Sequence, residues 1–226
     1  MKQISTFCLL LLTLPFFALG AEVLEADFDS DENGFTYSDD VFRSTSEPGY
    51  ASGSYQPSGG FTGGGLKVDL GNKDSADIFG MSGGWQSSFV LTSLSDVVIQ
   101  FRYKLDHAAN YEIDEYADVT FSVDSTLYGM NGNDYVDKII GDGQGGALQT
   151  TGWKLFEITI PSLSAGSHTV VFGAYSNLKT YPDELTEAYI DDVLITAANS
   201  IPDSEVPTGS VSGVRVSVWG QSLISD

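Results

Sequence analysis

GSHTVVFGAYSNLKTYPDELTEAYIDDVLI, residues 166–195, combines a β-strand period with a charge pattern that such a period makes costly. Apolar residues recur at alternate positions in 168–174 and again in 188–195, on either side of a loop region carrying Asp183, Glu184 and Glu187. Alternation of this kind marks a half-buried strand, so the two runs are expected to form the last strand pair of the fold. The second run also holds Asp191-Asp192 between Ile190 and Val193. Two adjacent carboxylates in a strand that must bury Ile190, Val193 and Ile195 repel each other and lose hydration unless a cation neutralises them. Lys and Arg number 10 against 31 Asp and Glu, so the cation expected is Ca²⁺, which takes carboxylate and carbonyl oxygens as ligands.

The same period appears upstream. In 97–105, Val97, Ile99, Phe101, Tyr103 and Leu105 share one face, and Val98, Gln100, Arg102 and Lys104 share the other. In 116–124, Ala117, Val119, Phe121 and Val123 point inward, with Asp118, Thr120 and Ser122 outward, and these two strands are expected to pair as a long-looped hairpin. Further strands are read at 23–28, 35–37, 65–70, 79–81, 89–91 and 153–160. No segment sustains a helical period. Short strands joined by Gly-rich turns, with no helices between them, predict an all-β protein with an antiparallel jelly-roll (concanavalin A-like) β-sandwich.

Residues 1–20 read as a signal peptide: Lys2, an apolar run over 7–17, then Ala18, Gly20 and Ala21. Cys8 lies inside it, so the mature chain has no cysteine and no disulfide. One domain is expected over 21–197, with 198–226 as a tail or linker or one extra edge strand. The protein is expected to be secreted and monomeric, with no membrane insertion. A formal charge of −21 argues against nucleic acid and anionic membranes as partners. Catalysis by a cysteine, a zinc ion or a serine at a nucleophile elbow lacks the parts, because only His107 and His168 are present and no such elbow occurs.

Asp29 to Gly34, DSDENG, has the alternating oxygens and the turn glycine of a calcium loop, with Asp40 at the twelfth position, but the helices of an EF-hand are missing around it. Together with ADFDSDENGFTYSDDVF (26–42), the segments SFVLTSLSDVVIQFRYKL (88–105), AGSHTVVFGAYSN (165–177) and TEAYIDDVLI (186–195) resemble the calcium-stabilised jelly-roll domains, among them carbohydrate-binding modules and MAM domains. The resemblance implies a structural Ca²⁺ that clasps the N-terminal segment to the last strand, with Asp29, Asp31, Asp191 and Asp192 as candidate ligands. The cysteines of MAM domains are absent.

A second acidic group, Glu112, Asp114, Glu115 and Asp118, and a third, Asp183, Glu184 and Glu187, precede or begin strands. If their loops meet at one end of the sandwich, Glu112, Glu115, Asp183 and Glu184 are candidate ligands of a second Ca²⁺. Gly141 to Gly146, GDGQGG, is read as a turn beside one of the metal sites. Glu112-Ile113-Asp114 begins like the catalytic strand of family 16 glycoside hydrolases, but position 116 is Tyr and the next carboxylate, Glu115, faces the wrong way.

The resemblance also implies a glycan-binding sheet face, for which Arg102, Lys104, Asp118 and Tyr175 are the candidates. The expected function is noncatalytic binding of a polysaccharide. The alternatives are a polysaccharide-degrading enzyme (glycoside hydrolase or lyase) on the same fold, and a structural or adhesion protein with no glycan site.

Overall fold

The computed structural model describes residues 20–199, apart from 144 and 146. The signal-peptide reading of 1–19 and the tail beyond 199 lie outside these residues.

The alternation in β6 (Ser95–His107) makes it the natural centre of a sheet: every second residue from Val97 to Leu105 is buried, and the residues between are half-exposed. On one edge β6 pairs with β10 (Gln149–Thr150) and β11 (Lys154–Leu163), and on the other with β13 (Leu185–Asn199). The first half of β13 pairs in turn with β4 (Gly65–Gly71) and the second half with β1 (Ala21–Ala26), while β3 (Ala51–Gln56) lies outside β4. This front sheet faces a back sheet in the order β2 (Thr36–Asp39), β5 (Met81–Leu91), β12 (Gly166–Ser176), β7 (Tyr116–Val123), with β8 (Thr126–Tyr128) and β9 (Asp137–Ile140) both pairing with β7. Every pairing among the described strands is antiparallel, and the fold is an all-β jelly-roll sandwich.

The core lies between the sheets. Its centre is Phe101, whose ring lies 4.8 Å from Phe172, 5.3 Å from Phe156 and 5.7 Å from Phe121. Those partners come from β12, β11 and β7, so one side chain of the front sheet joins three other strands. Tilted and edge-on ring contacts at this spacing add to the gain from apolar burial.

Two expected pairings are not formed. β6 and β7 lie in opposite sheets and meet across the core, because β7 takes β12 as its partner. Likewise β12 and β13 are in different sheets, and the acidic loop between them is a crossover rather than a hairpin turn. A strand with one apolar face buries it equally well beside a neighbour or opposite one, and alternation cannot tell these apart. The runs read at 79–81 and 89–91 are one continuous strand, β5, which starts at Met81 and leaves Phe79 exposed.

The Asp191-Asp192 pair is accommodated by a β-bulge. Between Asp191↔Arg102 and Leu194↔Gln100, β13 advances three residues while β6 advances two, and Asp192 takes φ +47°. The extra residue keeps Ile190, Val193 and Ile195 in the core, with Asp191 buried under the loop that carries Phe61 and Asp192 partly exposed beside Arg102.

At the inward end of β12, His168 packs against Phe89 and donates from both ring nitrogens, Nδ1 to Asp124 at 2.7 Å and Nε2 to the Ser164 carbonyl at 2.9 Å. Two acceptors demand two protons. Burial opposes the charge, but these bonds outweigh it and raise the His168 pKa. A raised folded-state pKa contributes stability that is complete below the unfolded value of about 6.5 and is lost as pH rises through the folded value. Urea midpoints measured from pH 5.5 to 9 are therefore expected to fall across this window, and Asp124→Asn to flatten the fall. Equal slopes in the two proteins would disprove the imidazolium.

Candidate functional site

The outer face of the front sheet carries a row of aromatic rings. Tyr189 points outward because Ala188 and Ile190 point in, and Trp153, just before β11, lies beside it with ring centroids 6.3 Å apart. Phe61, from the loop between β3 and β4, follows at 6.1 Å from Trp153 and is 45% exposed. Two cations stand over the ends of this row, Arg102 at 3.9 Å from the Phe61 centroid and Lys104 at 4.1 Å from that of Tyr189. Their charges are balanced on the same face: Arg102 Nε lies 3.0 Å from Asp192 and Lys104 Nζ 2.7 Å from Asp106. A groove continues from Arg102 past Gln100, Leu155, Asp192 and Asp27. The arrangement brings aromatic rings and hydrogen-bonding side chains together along one strip of surface.

Of the four residues expected to share a glycan face, this strip contains Arg102 and Lys104 but not Asp118 or Tyr175. The latter two project from the outer face of the back sheet. Asp118 is wholly buried there between Arg43 at 2.7 Å and Lys138 at 3.2 Å, with Arg43 also over the Tyr175 ring. The expected grouping of Arg102 and Lys104 with Asp118 fails for the same reason as the hairpin. The outward phase of Tyr189, next to inward Ile190, is readable in the sequence; Phe61, in a Gly-rich loop, leaves no such signal.

The bulge places Asp191 under the loop between β3 and β4. Its Oδ2 accepts the Phe61 and Thr62 N–H groups at 2.7 and 3.3 Å, and its Oδ1 accepts that of Asp192 at 2.7 Å. Burial still pushes the Asp191 pKa up. The loop is glycine-lined where oxygens crowd it. A methyl group on Gly63 would sit 1.9 Å from Asp29 Oδ1, one on Gly60 2.6 Å from Asp191 Oδ2 and from the Thr62 carbonyl, and one on Gly64 2.2 Å from the Phe28 carbonyl. These oxygens crowd one loop between the N-terminal segment and the last strand. Asp31 and Asp192 have other roles: Asp31 Oδ1 accepts Asn33 N–H at 2.8 Å within its own turn, and Asp192 faces Arg102. Asp40 lies beyond β2, where it accepts Glu47 N–H at 3.1 Å in the next turn.

The second and third acidic groups meet. The β6–β7 loop brings Glu112 and Glu115, and the β12–β13 loop brings Glu184, so that one carboxylate oxygen of each lies within 4.8 Å of the others. Glu115 is 1% exposed and Glu184 is fully buried. Burial, followed by the neighbouring Glu112 and Glu184, pushes the Glu115 pKa up to about 8. Tyr111, in the β6–β7 loop, stacks on His107 at 3.7 Å, and its carbonyl accepts Gly143 N–H at 3.0 Å, so the start of the GDGQGG turn closes here. Asp183 does not join the three; it bonds Asn110 at the rim of an open recess lined also by Tyr181 and Gly145. Asp114 is exposed.

No protein-family model matches the chain, and no curated protein does. Solved structures with a similar fold include the CBM22-1-CBM22-2 tandem domain of Paenibacillus barcinonensis Xyn10C, at 15% identity over 87% of this chain and 50% of that one, with a TM-score of 0.42. This chain thus spans about half the length of that structure. Another is TmCBM27, a carbohydrate-binding module studied for specific mannan recognition, at 14% identity over 79% of this chain and 99% of that one, with a TM-score of 0.42. A third is the K1 cleaved adhesin domain of Lys-gingipain from Porphyromonas gingivalis, at 12% identity over 78% and 99% of the two chains, with a TM-score of 0.44. At these identities the likeness concerns the sandwich and not its ligands.

Proposed function

We propose that the protein is an exported, noncatalytic carbohydrate-binding domain whose ligand lies along the outer face of the front sheet. The observation that supports this is the row Phe61, Trp153, Tyr189, bordered by Arg102 and Lys104. Sugar rings present C–H faces that pack on aromatic planes, and their hydroxyls need hydrogen-bonding partners at the edges of those planes. Because Arg102 and Lys104 are each paired with a carboxylate, the strip suits a neutral polysaccharide better than an acidic one. Glu115, at 1% exposure, is too enclosed to meet a polysaccharide, which weighs against the glycosidase alternative. Ca²⁺ belongs to the same reading: Asp29 and Asp191 would hold it, and it would fix the loop that carries Phe61.

Affinity electrophoresis through gels containing xylan, mannan or mixed-linked β-glucan, with alginate as the anionic comparison, tests the ligand class. Retardation by at least one neutral glycan is expected, with Trp153→Ala weakening it by about tenfold or more, ~1.4 kcal/mol. Tyr175→Ala on the other sheet should leave it unchanged. Retardation that survives Trp153→Ala would remove the front face as the site. No retardation in any gel would favour a structural or adhesion protein.

A further inference from the structure

We infer that Glu112, Glu115 and Glu184 hold a second Ca²⁺, which staples together the two loops that cross between the sheets. The first six residues of β13 lie between Glu184 and Asp191, roughly 23 Å at the rise of an extended strand, so this site is separate from the Asp29–Asp191 cradle. Three features carry the inference.

The first is unmet need. Glu115 Oε1 and Glu112 Oε2 are shut off from solvent and receive no hydrogen bond from any group among the described residues. Glu115 Oε2 accepts the Glu112 N–H at 2.8 Å, so Oε1 is the oxygen left without a donor. On the third side, Glu184 Oε2 is fixed by the Thr180 and Tyr181 N–H groups at 2.5 and 3.0 Å. Buried carboxylate oxygens without donors are costly, and a cation satisfies several at once.

The second feature is that the nearby basic side chain is engaged elsewhere. Lys179 is the basic residue nearest in the chain to Glu184, and its Nζ is turned to the Asp74 and Ala76 carbonyls at 2.5 and 3.1 Å.

The third is size. Three oxygens no more than 4.8 Å apart have a common centre within about 2.8 Å of each, a span that admits the 2.3–2.6 Å of Ca²⁺–oxygen bonds. The donors are all oxygen, which suits Ca²⁺ rather than a metal that prefers nitrogen or sulfur. The result is a crosslink between the β6–β7 and β12–β13 crossovers in a sandwich whose described residues include no cysteine.

Calorimetric titration of chelator-treated protein with CaCl₂, against MgCl₂, tests the site. The wild type is expected to bind one more equivalent of Ca²⁺ than the Glu115→Gln/Glu184→Gln double variant, and Asp191→Asn to retain that equivalent. Should the double variant fail to give the wild-type circular dichroism spectrum, Glu112→Gln serves in its place, because Glu112 is only half-buried. Its expected effect is an affinity loss of about tenfold or more at one site. Equal stoichiometry and affinity in the wild type and the glutamate variants would overturn the inference, leaving the three side chains as a protonated cluster. If Asp191→Asn abolished all binding while Glu112→Gln changed nothing, the cradle would stand and the triad would fall. Absence of Ca²⁺ binding in the wild type would reject both.

Discussion

Phe101→Ala is expected to lower the stability of the folded domain by about 3–5 kcal/mol, the range for removing a fully buried phenylalanine where the surroundings cannot collapse into the cavity. Collapse is hindered here because the ring and its neighbours belong to four strands in two sheets. Phe172, Phe156 and Phe121 each meet Phe101 at 4.8 to 5.7 Å, and Phe121 and Phe172 also stack on each other at 5.3 Å. Moving any one inward would pull a strand out of its ladder. The front-face aromatics lie on the far side of β6, so binding by the folded fraction should persist. Urea unfolding with and without the substitution measures the loss. A change below about 1 kcal/mol would mean that the two sheets close over the vacancy, against the packing described.

The second large effect is expected at Asp191, where Asp191→Ala should cost about 3 kcal/mol and Asp191→Asn distinctly less. Alanine removes the acceptor for the Phe61, Thr62 and Asp192 N–H groups together, and polar groups left unpaired in a buried setting cost about 1–3 kcal/mol each before water enters. Asparagine keeps one oxygen and loses the charge. Release of the loop would also displace Phe61 from Trp153, so Asp191→Ala should weaken glycan retention although Asp191 touches no sugar. The two roles separate in a Ca²⁺ titration of thermal stability. A wild type saturated at one hundred times its dissociation constant gains about 2.7 kcal/mol, and both variants should lose the part of that response owed to the cradle. If Asp191→Ala unfolds at the wild-type midpoint in chelator, the loop is held by something other than this carboxylate.

The residues that fill the core are legible from hydrophobic alternation. It places Val97, Ile99, Phe101, Tyr103 and Leu105 on one face of β6, and Ala117, Val119, Phe121 and Val123 on one face of β7, and both sets are buried as expected. Less is legible where side chains give no period. β3, with the sequence ASGSYQ, has no apolar alternation to mark it as a strand; it is held by its pairing with β4. The acidic residues stand out as groups, yet their partners differ from expectation wherever a partner depends on which sheet a strand joins, as with Asp118 and the basic residues of β6.

A period of two tells which way a side chain points, so the inward faces and the class of fold follow from the amino-acid order. That order carries no information about which strand lies alongside, because every strand offers the same backbone donors and acceptors to any neighbour. Asp191 reaches Phe61 across 130 residues, and Glu115 reaches Glu184 only because two crossovers end at the same rim of the sandwich. The aromatic row has the same origin: Phe61, Trp153 and Tyr189 come from three separate segments, and the strand order of the front sheet makes them neighbours.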